Sequence, residues 1–253
     1  LSVPLFYYIS ELSDEHTEMI QDELEMVVGF YMSGNGFDDQ LINDDISDTL
    51  GLSSDNMEFY YLVDYDGFGN TYFFTGRNYS RISLNVSLFM PYDSTELDMG
   101  SIDVLNGFAD LISRIEAQKH CLVLWGHGRG YEGICFDESS GLKASEIRTA
   151  LEGKGIDLLI LDACEMICAE FLYELDTCVD YVLGSEKDIP DRGLDYFGGF
   201  TTFIENDSNN EQLLAEKIMT ETVSYYIRDP SRFSIQLSLI DLEQFREFST
   251  QFL

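Results

Sequence analysis

Basic residues are scarce in this chain. Its 253 residues hold 14 Lys and Arg against 47 Asp and Glu, a formal charge of −33 and a pI near 4.1. A surface that acidic repels phosphate backbones and anionic lipid headgroups, which excludes nucleic acid and membrane surfaces as natural partners. It suits basic substrates, cations or plain solubility in salt. No run approaches the ~18 consecutive apolar residues of a membrane span. Linkers rich in Pro, Gly and Ser are missing, as are internal repeats, so we expect one domain over residues 1–253. The chain opens on Leu1 rather than Met and stops soon after a helix begins at Asp241. The expectation therefore leaves room for sequence beyond both ends, a removed signal peptide or prosegment included. Five cysteines is an odd number without secreted-scaffold spacing, so at least one is unpaired. Cys121 and Cys135 flank an apolar strand, where a buried thiol acts as a small hydrophobe. These features lean towards free thiols and a cytoplasmic compartment, with secretion the alternative if a signal peptide was cleaved.

Apolar material is plentiful. Hydrophobic residues make up 45% and aromatics 13%, too much for a disordered chain. A strand over Val3–Ile9 and an acidic helix over Asp14–Val28 are expected first, then a polar stretch from Ser33 to Asn56. Aromatic and β-branched runs at Glu58–Asp64 and Thr71–Gly76 flank Gly and Asn residues, which reads as an antiparallel hairpin. Ile82–Leu88 alternates as another strand. From residue 100 strand and helix take turns: a helix from Ile102 to Ile115, then strand Cys121–Trp125, helix Ala144–Leu151 and strand Leu158–Leu161. Helix Glu165–Leu175, strand Tyr181–Leu183, helix Glu211–Ile227 and strand Ser234–Ile240 follow. Cys121–Trp125 and Leu158–Leu161 are nearly all apolar, as strands covered on both faces must be. Such alternation gives an α/β fold: a mostly parallel sheet flanked by helices on both faces, with right-handed crossovers.

Reactive groups in open α/β sheets gather beyond the carboxyl ends of the strands. One apolar strand ends in Trp125-Gly126-His127-Gly128, another in Asp162-Ala163-Cys164-Glu165. If the two strands are neighbours, an imidazole and a thiol share one rim. His127 can then take the thiol proton and Cys164 attack as the nucleophile. At the start of the expected helix, Cys164 would also gain from the helix dipole. Asp162 and Glu165 oppose this, since negative charge raises a thiol pKa. Gly128, having no side chain, can offer its N–H to a developing oxyanion beside that of Cys164. His16, in an acidic helix, and His120, just before a strand, lack such a setting.

Other chemistries fit poorly. The glycines at 126, 128 and 130 lack the third Rossmann glycine, position 131 being Tyr, and a helix does not follow directly. Cys164 and Cys168 have no second thiol pair for zinc. The Asp64-x-Asp66-Gly67 turn has Thr75 at the twelfth position, where a calcium loop needs an acid.

An apolar strand ending in His-Gly followed by one ending in Asp-Ala-Cys resembles the caspase-like clan of cysteine peptidases, and within it the clostripain family. The likeness extends from Asp98-Met99-Gly100-Ser101 through Gly133-Ile134-Cys135-Phe136-Asp137-Glu138 and Tyr173-Glu174-Leu175. It continues over Gly184-Ser185-Glu186, Gly193-Leu194-Asp195-Tyr196 and Leu239-Ile240-Asp241-Leu242. The resemblance implies a cysteine endopeptidase with the catalytic pair His127 and Cys164, needing no obligatory third member, and oxyanion N–H groups from Gly128 and Cys164. It implies cleavage after Arg or Lys, with Asp162 in the basic pocket, Ser185 and Glu186 beside the bound peptide and Asp191 as a further acid. It also implies self-cleavage between His and Cys, for which Lys143 is the candidate. The partners are peptide or protein substrates. No cofactor is expected; the resemblance allows a calcium requirement, for which no motif is present. The alternative is a silent or latent scaffold that uses the same fold for protein interaction.

Overall fold

The protein is described here by a computed structural model, covering residues 24–54, 56–67, 71–76, 97–138, 140–175, 178–206, 208–228 and 234–251. The expected strands Val3–Ile9 and Ile82–Leu88, and the first part of the expected Asp14 helix with His16, lie outside the described residues.

Seven strands form one sheet: β1 (Leu24–Ser33), β2 (Met57–Asp64), β3 (Thr71–Thr75), β4 (Ala117–Trp125), β7 (Ile156–Asp162), β8 (Val179–Gly184) and β9 (Ser238–Asp241). Their spatial order is β3-β2-β1-β4-β7-β8-β9. The five central strands run parallel, and β3 and β9 close the edges antiparallel. The expected hairpin is β2–β3, in register from Asp64↔Thr71 to Tyr60↔Thr75. A small antiparallel pair, β5 (Ile134–Asp137) and β6 (Ser140–Leu142), stands apart from the main sheet.

Period-2 alternation sends each strand's side chains into two cores. Tyr31, Leu122, Leu124, Leu159 and Leu161 face one side, against α2 (Ile102–Ser113), α3 (Ala144–Leu151), α4 (Ala169–Leu175) and α7 (Leu242–Ser249). Phe30, Val123, Trp125, Leu158 and Ile160 face the other, against α1 (Asp39–Leu50), α5 (Tyr196–Ile204) and α6 (Glu211–Arg228). Each fully buried Leu, Ile or Phe contributes about 1.5–3 kcal/mol, so the two-sided sheet is the main source of stability.

Three expectations change. Leu24–Val28 is not the end of an acidic helix but the first half of β1, a central strand. The run Met26–Met32 is buried on both faces, and that burial overrides any helical continuation. The polar stretch 33–56 contains α1, which buries Ile42, Ile46 and Thr49 and is capped by Asp38 through Gln40 N–H. Four-residue spacing of its two isoleucines is the helical signal, diluted by the polar residues between them. Finally, α4 begins at Ala169 and not at Glu165. The N–H groups of Glu165 and Ile167 are spent instead on the carbonyls of Lys187 and Ser185, at 3.0 and 2.9 Å. The α5 helix is an element the periodicity does not anticipate; it buries Tyr196, Phe200 and Phe203.

Candidate active site

Strands β4 and β7 pair in parallel with Trp125 opposite Asp162, so their carboxyl ends lie side by side. The chain past β4 is held between neighbours: Gly126 N–H donates to the Asp162 carbonyl (3.3 Å) and Cys135 N–H to the His127 carbonyl (3.0 Å). Gly128 presses on the end of β7. A Cβ there would sit 2.4 Å from the Cys164 carbonyl oxygen and 2.8 Å from the Ala163 Cβ, so no side chain fits. His127, Cys164 and Asp162 thereby share one cleft, whose other walls include Phe37, Ile189 and Asp191.

Cys164 is half-buried, and its Sγ accepts the Ile189 N–H at 3.3 Å. Glu165, next to it, has φ +62°, a sharp turn that carries the chain away from the sheet before α4. Cys164 therefore has no helix N-terminus behind it, and the expected dipole assistance is absent from this arrangement. Burial pushes its thiol pKa up, aided by the charges of Asp188, Asp162 and Glu165 and opposed by the Ile189 N–H. His127 is exposed on one side and covered on another by the Phe37 ring, stacked at a centroid distance of 4.0 Å and 21°. Desolvation and the nearby Arg129 hold its pKa below the usual 6.5, while Asp191 acts in the opposite sense.

Asp162 ends β7 and is only 4% exposed. Its Oδ2 accepts the Tyr196 hydroxyl at 2.8 Å and the Leu194 N–H at 3.2 Å. Burial raises its pKa to about 6, against those two bonds. Gly193 packs on it with φ +72°, and a Cβ there would lie 2.6 Å from Oδ2, so both conformation and space call for glycine. The remaining expected residues are more dispersed. Asp191 is exposed on the cleft. Ser185 is fully buried, its Oγ accepting the Lys187 N–H at 3.0 Å. Glu186 turns to Gln236 and Ser238, at 2.8 and 3.4 Å. Lys143 sits at the N-cap of α3. His120 directs Nε2 to the Ile115 carbonyl at 3.0 Å, a structural contact.

Two participants escape the sequence reading. Phe37 projects from the loop between β1 and α1, inside the stretch read as merely polar; an aromatic among glycines just past a strand's carboxyl end is its one signal. Ile189 meets Cys164 through its backbone, which no side-chain pattern reports. As for metals, Asp157, Asp180 and Glu211 form an acidic group at the far ends of the strands. Lys119 already supplies the cation there, 2.8 Å from Asp157 and 3.1 Å from Glu211, so the group fits a metal poorly. The Asp64 and Asp66 carboxylates serve the hairpin and its neighbour loop, accepting Thr71 Oγ1 at 2.7 Å and Gly36 N–H at 3.1 Å. All five cysteines are free thiols. Among the described residues no helix is long and apolar enough to cross a membrane.

The model of the clostripain family matches residues 30–252. Among solved structures, a secreted C11 cysteine protease from Bacteroides thetaiotaomicron, in complex with an irreversible peptide inhibitor, superposes with a TM-score of 0.65 at 17% identity, over 89% of this chain and 68% of that one. An inactive zymogen C11 protease from Parabacteroides distasonis gives 0.69 at 18%, over 92% and 66%. A second structure of a secreted B. thetaiotaomicron C11 protease, iotapain, gives 0.67 at 13%, over 90% and 69%. The chain thus spans about two thirds of each of these chains. Comparison with curated proteins gives no match. A fold shared with these proteases and a family match across nearly the whole described sheet lead to one assignment: the chain belongs to the clostripain family of cysteine peptidases.

Proposed function

We propose that this chain is an endopeptidase in which His127 and Cys164 act as a dyad. The observation that carries the reading is the Trp125↔Asp162 pairing, which puts the two strand ends in one cleft. His127 takes the Sγ proton as sulfur attacks the peptide carbonyl carbon. Gly128 and Cys164 N–H groups stabilise the oxyanion, and the imidazolium then protonates the departing amine. Water, deprotonated by His127, hydrolyses the thioester and restores the thiol. The acid at the cleft floor, Asp162, and the one at its rim, Asp191, favour Arg or Lys before the scissile bond. The segment from Ser185 and Glu186 onward supports the peptide through its backbone. A panel of fluorogenic peptides differing only at that position tests this. Arg and Lys peptides should be cut at least about 100-fold faster than Gln or Leu ones, the scale of a desolvated charge pair. Equal rates would remove the basic preference, and no cleavage of any peptide by an opened enzyme would remove the activity.

The second reading, a latent form, is favoured by the size of the cleft. It encloses about 40 Å³, room for a few waters and far below the ~300–1,000 Å³ of ordinary ligand pockets. An Arg side chain enters only if the 188–193 segment moves off Cys164 and Asp162. One relative is described as an inactive zymogen, and we extend that regulation here, with self-cleavage at Lys143 as the trigger. Lys143 is exposed, yet its N–H donates to Glu146 Oε2 (2.9 Å) and its carbonyl accepts the Glu146 and Ile147 N–H groups (3.0 Å each). The first turn of α3 must open before the bond can extend into an active site. Incubation should convert one band on a denaturing gel into two. Glu146→Ala, which loosens the cap, should speed this, and Lys143→Gln should stop it. An active preparation that stays as one band would exclude the trigger. The solved relatives give no support to the cytoplasmic expectation; two are described as secreted, and we favour that location. A calcium requirement remains a family-derived proposal that no described acidic group supports.

A further inference from the structure

A dyad without a third acid must still fix its imidazole, and here an aromatic ring lies against one face of it. We propose that Phe37 is the positioning residue of His127, a flat platform from the β1–α1 loop that sets the imidazole plane facing Cys164. The inference rests on the dyad reading given above.

The geometry is a short train of rings. Phe37 stacks on His127 at 4.0 Å and 21° and also meets Trp125 at 4.6 Å and 52°. Trp125 is 2% exposed at the end of β4, and its indole opposes the rise that burial imposes on the pKa of Asp45 in α1. Asp45 is 5% exposed and its Oδ2 has no hydrogen-bond partner. The loop that carries Phe37 is pinned at both sides: Phe37 N–H donates to the Gly34 carbonyl (2.9 Å) and Gly36 N–H to Asp66 Oδ1 (3.1 Å). Gly36 brings the backbone so near that a Cβ would lie 3.4 Å from His127 Nε2. Gly36 thus lines the Nε2 edge of the ring, and one face is closed by Phe37. The charged and titratable groups around the imidazole are Arg129 from its own loop, Asp191 from the segment after β8, and Cys164 and Asp162 from the end of β7, which line the same cleft. Phe37 adds no charge to this set. It acts by cover and by shape.

Two variants separate these effects. Phe37→Ala uncovers the imidazole, and water then favours the charged form, so the His127 pKa rises towards 6.5. The acid limb of kcat/KM should move to higher pH, and kcat should fall roughly 10–100-fold with KM unchanged, the penalty of a misaligned proton acceptor. Phe37→Leu keeps apolar cover but offers no flat face, so kcat should fall while the acid limb stays. Phe37→Tyr should restore both. NMR titration of the His127 imidazole in a Cys164→Ala background, with its resonance assigned by loss in His127→Ala, reads the same shift without activity. Wild-type kcat in both the Ala and Leu variants, or an imidazole titration unmoved by Phe37→Ala, overturns the proposal. If His127→Ala keeps full activity, the dyad reading falls instead, and the two failures are told apart.

Discussion

Replacing Cys164 with alanine should lower hydrolysis of an Arg or Lys peptide by about 10⁴-fold or more, the scale seen when a nucleophile is removed from a catalytic unit. Folding should survive. The thiol is half-buried at a strand end, and its one strong contact is the Ile189 N–H, so stability changes by about 1 kcal/mol or less. The resting chemistry of the thiol gives a second, sharper readout. Burial and the charges of Asp188, Asp162 and Glu165 raise the Cys164 pKa, while desolvation and Arg129 lower that of His127. Both shifts work against a thiolate–imidazolium pair, so under the proposed dyad mechanism both members should rest neutral, with the proton moving only as sulfur attacks. Alkylation by iodoacetamide, mapped by mass spectrometry, should be slow at pH 7 and climb above pH 9, the ordinary thiol value being 9.0. Cys121, Cys135 and Cys178 are buried and should stay unlabelled in the folded protein. A labelling rate at Cys164 that has already levelled off below pH 7 would mean a preformed ion pair and overturn this account of the dyad.

How much of this could be read from residues depends on where the controlling interaction lies. Leu122–Trp125 and Leu158–Asp162 carry their two-sided burial in their composition, so their pairing, and with it one cleft lined by both His127 and Cys164, is legible in the chain. Residues 24–28 mislead because Glu25 and the acids before it suit a helix surface, while their real role is set by β2 and β4, distant in sequence. The segment 165–168 begins with an acid and continues apolar, as a helix start does. Its N–H groups are captured by Ser185 and Lys187, and no local pattern announces that. For the same reason Ile189 and Phe37 are silent in the sequence: one acts by its backbone, the other by tertiary stacking.

The charge of −33 narrows to a smaller question, the state of one buried acid. Most of the 47 acids lie away from the cleft, whereas Asp162 is enclosed between β7 and the 193–196 segment. Two roles compete for it: a peg for that segment and a seat for a substrate cation. Both of its described bonds land on Oδ2, which leaves Oδ1 to meet a guanidinium or ammonium. Asp162→Asn decides between them, because asparagine still accepts both bonds but cannot carry charge. The folded-state pKa is about 6 against an ordinary 3.8, so folding binds the proton more tightly. For a raised acid the contribution to stability is full below about pH 4 and is lost as pH rises through 6. At pH 7 the buried carboxylate therefore costs about 3 kcal/mol, which asparagine removes. The variant should melt roughly 6–12 °C higher at pH 7, and this advantage should vanish on going down to pH 4. Cleavage after Arg or Lys should meanwhile fall about 100-fold, with neutral peptides unaffected, since an unpaired substrate cation would enter the same closed site. A variant that is less stable at pH 7 and keeps its basic preference would make Asp162 a peg alone. A gain in stability joined to a loss of selectivity would identify an acid held ionised, against its surroundings, for the substrate.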